Sequence, residues 1–175
     1  ESNIFGILED IKPVRGRMEL AATRKNGATV YVDYAHTPDA IEVALKSLKP
    51  HILGKLIVII GAGGERDEGK RPLMGAAAEK NSDFVIITDD NPRNEDPSSI
   101  HQMIKNGIQD NSKVTVIADR AEAILTAVDL LEEGDGLLIA GKGHETEQFI
   151  GENIFPFDDF EQASLSAASL DGAEQ

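Results

Sequence analysis

The sequence predicts an α/β protein built on a doubly wound, mostly parallel sheet with an N-terminal β-hairpin. Three observations predict it. Short apolar runs recur along the chain, helical patterns separate them, and an Asn-Gly turn lies between two β-like runs near the start. Strands alternating with helices give a parallel sheet with right-handed crossovers. With 175 residues, 41% of them hydrophobic, the chain suits one well-cored domain and leaves little room for two.

The hairpin is read from residues 17–23 and 28–34, which flank Lys25-Asn26-Gly27. Thr37-Pro38 reads as N-cap and first residue of a helix over PDAIEVALKSL. The buried-strand candidates are Leu56–Ile60, Phe84–Ile87, Val114–Ile117 and Leu137–Ala140, nearly continuous in apolar residues, as strands covered on both faces are. Between them, Pro72 to Lys80 reads as a short helix. Asp96-Pro97 opens a helix over SSIHQMIKNGI, and Asp119 caps RAEAILTAVDLLEE. The last stretch reads as less regular. Glu1 has no Met before it and residues 1–16 read as connecting chain, so the expected division is a connecting segment at 1–16, the domain at 17–170 and a tail at 171–175.

Composition excludes several classes. The absence of Cys rules out a disulfide scaffold, thiolate zinc sites and thiol nucleophiles. No apolar run approaches the ~18 residues of a membrane span, and the start ESNIFGILED lacks the basic end and apolar core of a signal peptide. A net charge of −14 opposes unspecific nucleic-acid binding. That charge is uneven: residues 145–175 hold eight acids and no Lys or Arg.

Open α/β sheets bind ligands outside the carboxyl ends of their strands. The loops expected there are Asp33–Pro38, Gly61–Pro72, Asp89–Pro97 and Gly141–Gln148, and they hold Arg66, Lys70, Arg71, Arg93 and Lys142. Cationic loops on an acidic protein point to an anionic small ligand; the alternative is that these bases pair with the acids beside them. Gly64 to Arg71 (GERDEGKR) matches a P-loop except at its eighth position, where Arg stands for Ser or Thr, and Gly61 to Arg66 fails the dinucleotide fingerprint at its sixth. The glycines alone favour a tight strand-to-helix turn. His36 is a general base, a ligand contact or an ordinary loop histidine. Asp33 contacts a ribose hydroxyl or caps a turn, and Asp89-Asp90 is a metal pair or a turn former. His144-Glu145 lacks the second His of a zinc motif. From the residues alone the reading stops at an anion-binding α/β domain.

Taken together, the loops say more. GRME at 16–19, DYAHTPDA at 33–40, GAGGERDEGKRPLMG at 61–75, TDDNPRNEDP at 88–97 and AGKGHETEQ at 140–148 resemble the Mur ligases in order and spacing, over about residues 13–160. The likeness is strongest to the members that add meso-diaminopimelate. It implies the family's Rossmann-like C-terminal domain and an ATP-dependent amide ligase of peptidoglycan precursor synthesis, adding meso-diaminopimelate to UDP-MurNAc-L-Ala-D-Glu through an acyl phosphate. It places the P-loop, and with it most of the binding of ATP and Mg²⁺, in a central domain that this chain does not match, so the chain alone is expected to be inactive, and the setting to be cytoplasmic.

The resemblance also implies residue roles. Asp90-Asn91-Pro92-Arg93 is the diaminopimelate recognition motif, with Arg93 and Arg66 on carboxylates. Gly141 and Glu145 receive the distal stereocentre, Glu145 pairing its ammonium. Arg17, Asp33 and His36 match positions near the nucleotide, and no metal ligand is assigned to this chain. Departures from the family pattern are Glu65 for a more usual Asp, Val14-Arg15 for Val-Pro and Ala62 where Cys is frequent; none removes a residue given a role. A Mur-ligase-like binding or scaffold module is the alternative, and a generic nucleotide-binding domain is a further one weakened by the failed fingerprints.

Overall fold

The Asn26-Gly27 turn closes a hairpin between β1 (Glu19–Thr23) and β2 (Thr29–Asp33). Gly27 takes φ +86°, and the Asn26 side chain accepts from the Ala28 N–H at 3.0 Å. The computed structural model describes residues 14–172. After the hairpin come α1 (Pro38–Leu48), β3 (Leu56–Ile60), α2 (Lys70–Asn81), β4 (Phe84–Ile87), α3 (Pro97–Lys105), β5 (Val114–Val116), α4 (Arg120–Asp129) and β6 (Gly136–Ala140). Each expected cap is made: Thr37, Asp96 and Asp119 accept from the N–H of Ala40, Ser98 and Glu122. α2 starts two residues before Pro72, and α4 stops before the LLEE that its apolar pattern had drawn in.

The strands form one sheet in the order β1-β2-β6-β3-β4-β5, parallel except for β1. β3 and β6 lie at its centre and are buried along their whole length. Alternate residues of β3 serve two cores. Leu56, Val58 and Ile60 meet Leu45 of α1, Met74 of α2 and Ile104 of α3 on one face. Ile57 and Ile59 meet Ile124 and Val128 of α4 on the other. Two buried faces explain the continuous apolar runs.

The end of the chain is more ordered than the sequence implied. β7 (Glu147–Ile150) and β8 (Asn153–Pro156) pair as a separate hairpin, and α5 (Asp159–Leu170) adds Ala163 and Ala167 to the second core. The strands EQFI and NIFP lack polar–apolar alternation, which hid them. α5 did carry a signal, because Asp158 accepts from the N–H of both Phe160 and Glu161, with Glu161 three residues on.

Arg120 and Asp159, the first residues of α4 and α5, are buried against each other. Nε donates to Oδ1 at 2.7 Å and Nη2 to Oδ2 at 2.8 Å. The same guanidinium donates to the carbonyls of Asp89 and Ala140, where the chain leaves β4 and β6. Burial alone would lower its pKa, but Asp159 more than reverses this and holds it above the ordinary value. Asp159→Ala leaves that charge without its partner and is expected to cost about 3–5 kcal/mol. Urea unfolding of the chain measures this; a loss below about 1 kcal/mol would show that the pair does not pin the two helices.

Candidate functional site

β3 and β6 are neighbours, yet α2 packs with one face of the sheet and α4 and α5 with the other. Chain leaving these strands therefore diverges, which opens a crevice at the carboxyl edge. A cavity of about 320 Å³ lies there, bounded by loops from β2, β3, β4 and β6.

The β3 and β4 loops are held together by backbone contact. Gly64 N donates to Asn91 O at 2.9 Å, and a Cβ on Gly64 would fall 1.9 Å from the Pro92 carbonyl, so only glycine permits the approach. The glycines thus serve a tight turn and loop packing. Arg71, in the P-loop's Ser/Thr position, is fully buried and grips the Glu95 carboxylate with Nη1 and Nη2, while Nη2 also reaches Gly63 O. Glu95 accepts in addition from the Glu65 N–H.

The β4 loop carries Asp90 to Arg93. Arg93 has φ +52°, a conformation held by β7: its N–H donates to Phe149 O at 3.0 Å and its carbonyl accepts from Gly151 N at 2.7 Å. Nη1 donates to Gly64 O at 2.9 Å. Asn91, almost fully buried, accepts at Oδ1 from Lys142 Nζ (3.0 Å) and Phe149 N (3.1 Å) and donates from Nδ2 to Glu145 (3.0 Å). Gly141 has φ +122°, and a Cβ there would lie 2.6 Å from Asp90 Oδ2. Burial lowers the pKa of Lys142, with Asp90 opposing.

At the end of β2 Asp33 caps its turn, accepting from Ala35 N at 2.8 Å and from Met18 N at 2.7 Å. Arg17 stands 4.9 Å over the Tyr34 ring, with the rings of His36 at 4.6 Å and His144 at 5.2 Å from it. Lys70 Nζ donates to His36 O.

Arg66, Asp90, Asn91, Arg93, Gly141, Glu145 and His36 come together on the cavity wall. Pro92 is buried behind it, Asp33 is engaged by its own loop, and Arg17 flanks Tyr34. Two of the five loop bases do not face a ligand: Arg71 and Lys142 are wholly buried with internal partners. Asp89 and Asp90 have different surroundings, Asp89 beside His101 and Asp90 on the cavity wall. Asp89 Oδ1 lies 2.7 Å from His101 Nε2, and among the described residues no group of three or more His, Asp or Glu is placed to hold a metal. Lys70, another of the five loop bases, also lines the cavity, as does Tyr34, which had no role in the sequence reading although it sits in one of the loops selected there. The cavity has two characters, acid at Asp90 and Glu145 and basic at Arg66, Arg93 and Lys70.

The family model described as Mur ligase, glutamate ligase domain, matches residues 16–143. The chain belongs to the Mur ligases. Among curated Mur ligases it is 49% identical over 168 residues to the UDP-N-acetylmuramoyl-L-alanyl-D-glutamate–2,6-diaminopimelate ligase of Bradyrhizobium diazoefficiens, covering 96% of this chain and 34% of that protein. It is 47% identical to the ligase of the same name from Agrobacterium fabrum, over 95% of the chain and 34% of the relative. The chain therefore spans about a third of the length of the curated relatives it matches. A solved structure of a ligase with that name superposes with a TM-score of 0.84 at 40% identity, over 94% of this chain and 34% of the other. The UDP-N-acetylmuramate-alanine ligase of Thermotoga maritima, 17% identical with a TM-score of 0.65 over 99% of this chain and 34% of its own, shares the fold. The Mur ligase domain is thus a Rossmann-like sheet whose switch-point crevice is lined by charges of both signs.

The Arg71 hydrogen bonds hold the Glu95 carboxyl below its ordinary pKa of 4.5, burial opposing. Because the folded value is the lower one, the pair stabilises the fold at neutral pH and its contribution is lost as pH falls through that value. A carbon-13 NMR titration should place the Glu95 midpoint below 4.5, and Arg71→Met should move it back up. An unchanged midpoint would mean that the two loops are not joined by this pair.

Proposed function

We propose that this chain is the amino-acid-binding domain of an ATP-dependent amide ligase that joins meso-diaminopimelate to UDP-MurNAc-L-Ala-D-Glu. The observation that carries the reading is that one cavity presents charges of both signs. An amino-acid head carries an ammonium and a carboxylate side by side, and a pocket lined by carboxylates and guanidinium groups is its complement. The names of the relatives support the substrate, and Asp90-Asn91-Pro92-Arg93 supports diaminopimelate over lysine.

In this reading Arg93 and Arg66 take carboxylate, and Glu145 takes the ammonium of the distal stereocentre beside Gly141. Asp90 adds negative charge at the same wall, and Asn91 and Pro92 shape it. Arg93 is preorganised, since β7 fixes its backbone before any ligand arrives. Diaminopimelate differs from lysine by one carboxylate, and a lysine in this pocket would leave a desolvated guanidinium without its partner. Arg17, Asp33 and His36 are assigned to the nucleotide.

ATP phosphorylates the dipeptide carboxylate, and the diaminopimelate amine displaces phosphate to form the amide. The groups in this chain hold and orient the amine's owner. ATP and Mg²⁺ fall mainly to a central domain preceding this one, with 17–170 as the binding domain, 1–16 as connector and 171–175 as tail. No described helix is long and apolar enough to cross a membrane. The setting proposed with this reaction is cytoplasmic. A binding or scaffold module draws less support, because every residue given a ligand role is retained.

The test is made in the ligase that carries this chain. The unaltered enzyme should prefer meso-diaminopimelate to lysine, and Arg93→Ala should lower kcat/KM for diaminopimelate about tenfold or more while narrowing that preference. Equal incorporation of lysine by the unaltered enzyme would overturn the assignment. Steady ATP hydrolysis by the purified 175-residue chain would overturn the division of labour.

A further inference from the structure

Directly behind the acid wall lies a lysine with no exposed surface. Lys142 follows Gly141 at the end of β6, and its Nζ lies 3.0 Å from Asn91 Oδ1 and 3.4 Å from Glu145 Oε2. A buried ammonium is costly, and a Met of similar length would fill such a space without that cost. The charge therefore needs a reason.

Its partners supply one. Asn91 Oδ1 also accepts from the Phe149 N–H at 3.1 Å, so two donors converge on one oxygen. Turning the amide over would set its NH₂ against an ammonium and a backbone N–H. The amide is thereby held one way round, and its Nδ2 must donate to Glu145 Oε2, at 3.0 Å. Oε2 is committed to Asn91 and Lys142, while Oε1 accepts no hydrogen bond among the described residues, and Glu145 is on the cavity wall.

The second reason is electrostatic. Asp90 and Glu145 face the same cavity. Arg120, the other buried cation close by, is committed to Asp159. Without Lys142 the two carboxylates would lose the cation that offsets their charge.

We propose that Lys142 is a positioning residue for the amino-acid ligand: it orients the Asn91 amide and the Glu145 carboxylate and offsets the charge of the acid wall, so that the wall receives the ligand's ammonium. This rests on the reading given under Proposed function. Lys142 itself need not touch the ligand.

The experiment is a comparison of Lys142→Met with Glu145→Gln in the full-length ligase carrying this chain. Lys142→Met is expected to raise KM for meso-diaminopimelate about tenfold or more, with kcat and the KM for ATP changed less than about twofold. A merely structural lysine would instead disturb all three together. No rise in the diaminopimelate KM, or an equal rise for ATP, overturns the proposal. If Glu145→Gln raises that KM and Lys142→Met does not, the proposal falls and the function stands. If Glu145→Gln has no effect, the ligand assignment falls and takes the proposal with it. Should Lys142→Met fail to fold, Lys142→Gln, which keeps an N–H donor for Asn91 but no charge, is held to the same selective rise in KM.

Discussion

A guanidinium with no access to water has to be surrounded by acceptors, and Arg120 draws its acceptors from three parts of the chain. Asp159 supplies a bidentate carboxylate from the start of α5, and the carbonyls of Asp89 and Ala140 come from the exits of β4 and β6. One side chain thus fixes where two strands end and where two helices begin. The candidate ligand residues Asp90 and Gly141 each follow one of those carbonyls by a single residue. A shift of either strand exit would leave the buried charge short of an acceptor, so the site inherits its rigidity from the ion pair beneath it.

The same economy governs the loops above. Arg71 and Lys142 spend their charge inside the protein, the first joining Glu95 to the glycine loop and the second joining Asn91 to Glu145. Arg66 is exposed, and Arg93 keeps only Nη1 occupied by carbonyls, so these two retain guanidinium donors for a ligand. Buried cations set the geometry and partly exposed ones line the cavity.

This division marks what the sequence could and could not reveal. The sheet and its helices were legible because their signals are local: continuous apolar runs at Leu56–Ile60 and Leu137–Ala140, and cap residues at Thr37, Asp96 and Asp119. The loops that form the cavity were legible because strand ends are where such sheets bind. The sequence could not sort the five loop bases, since a lysine beside glycine reads alike whether it turns outward or inward. Lys142 turns inward through the φ +122° bend at Gly141 and meets Asn91, 51 residues earlier in the chain. The hairpin β7–β8 escaped notice for a similar reason. It holds the backbone of Arg93, a contact between segments far apart in sequence that no local pattern encodes.

The net charge of −14 illustrates how little a total says about a site. Many of the acids are at the surface, where water screens them, and others are matched to buried bases, as Asp159 is to Arg120 and Glu95 to Arg71. In a cavity only partly open to water the few charges on the wall set the local potential, and here they are of both signs. Such a wall discriminates by arrangement, since a simple anion satisfies one side and leaves the other unpaired. A zwitterion satisfies both, and a molecule with a zwitterionic group at each end can do so at one end while its other amine remains free to react.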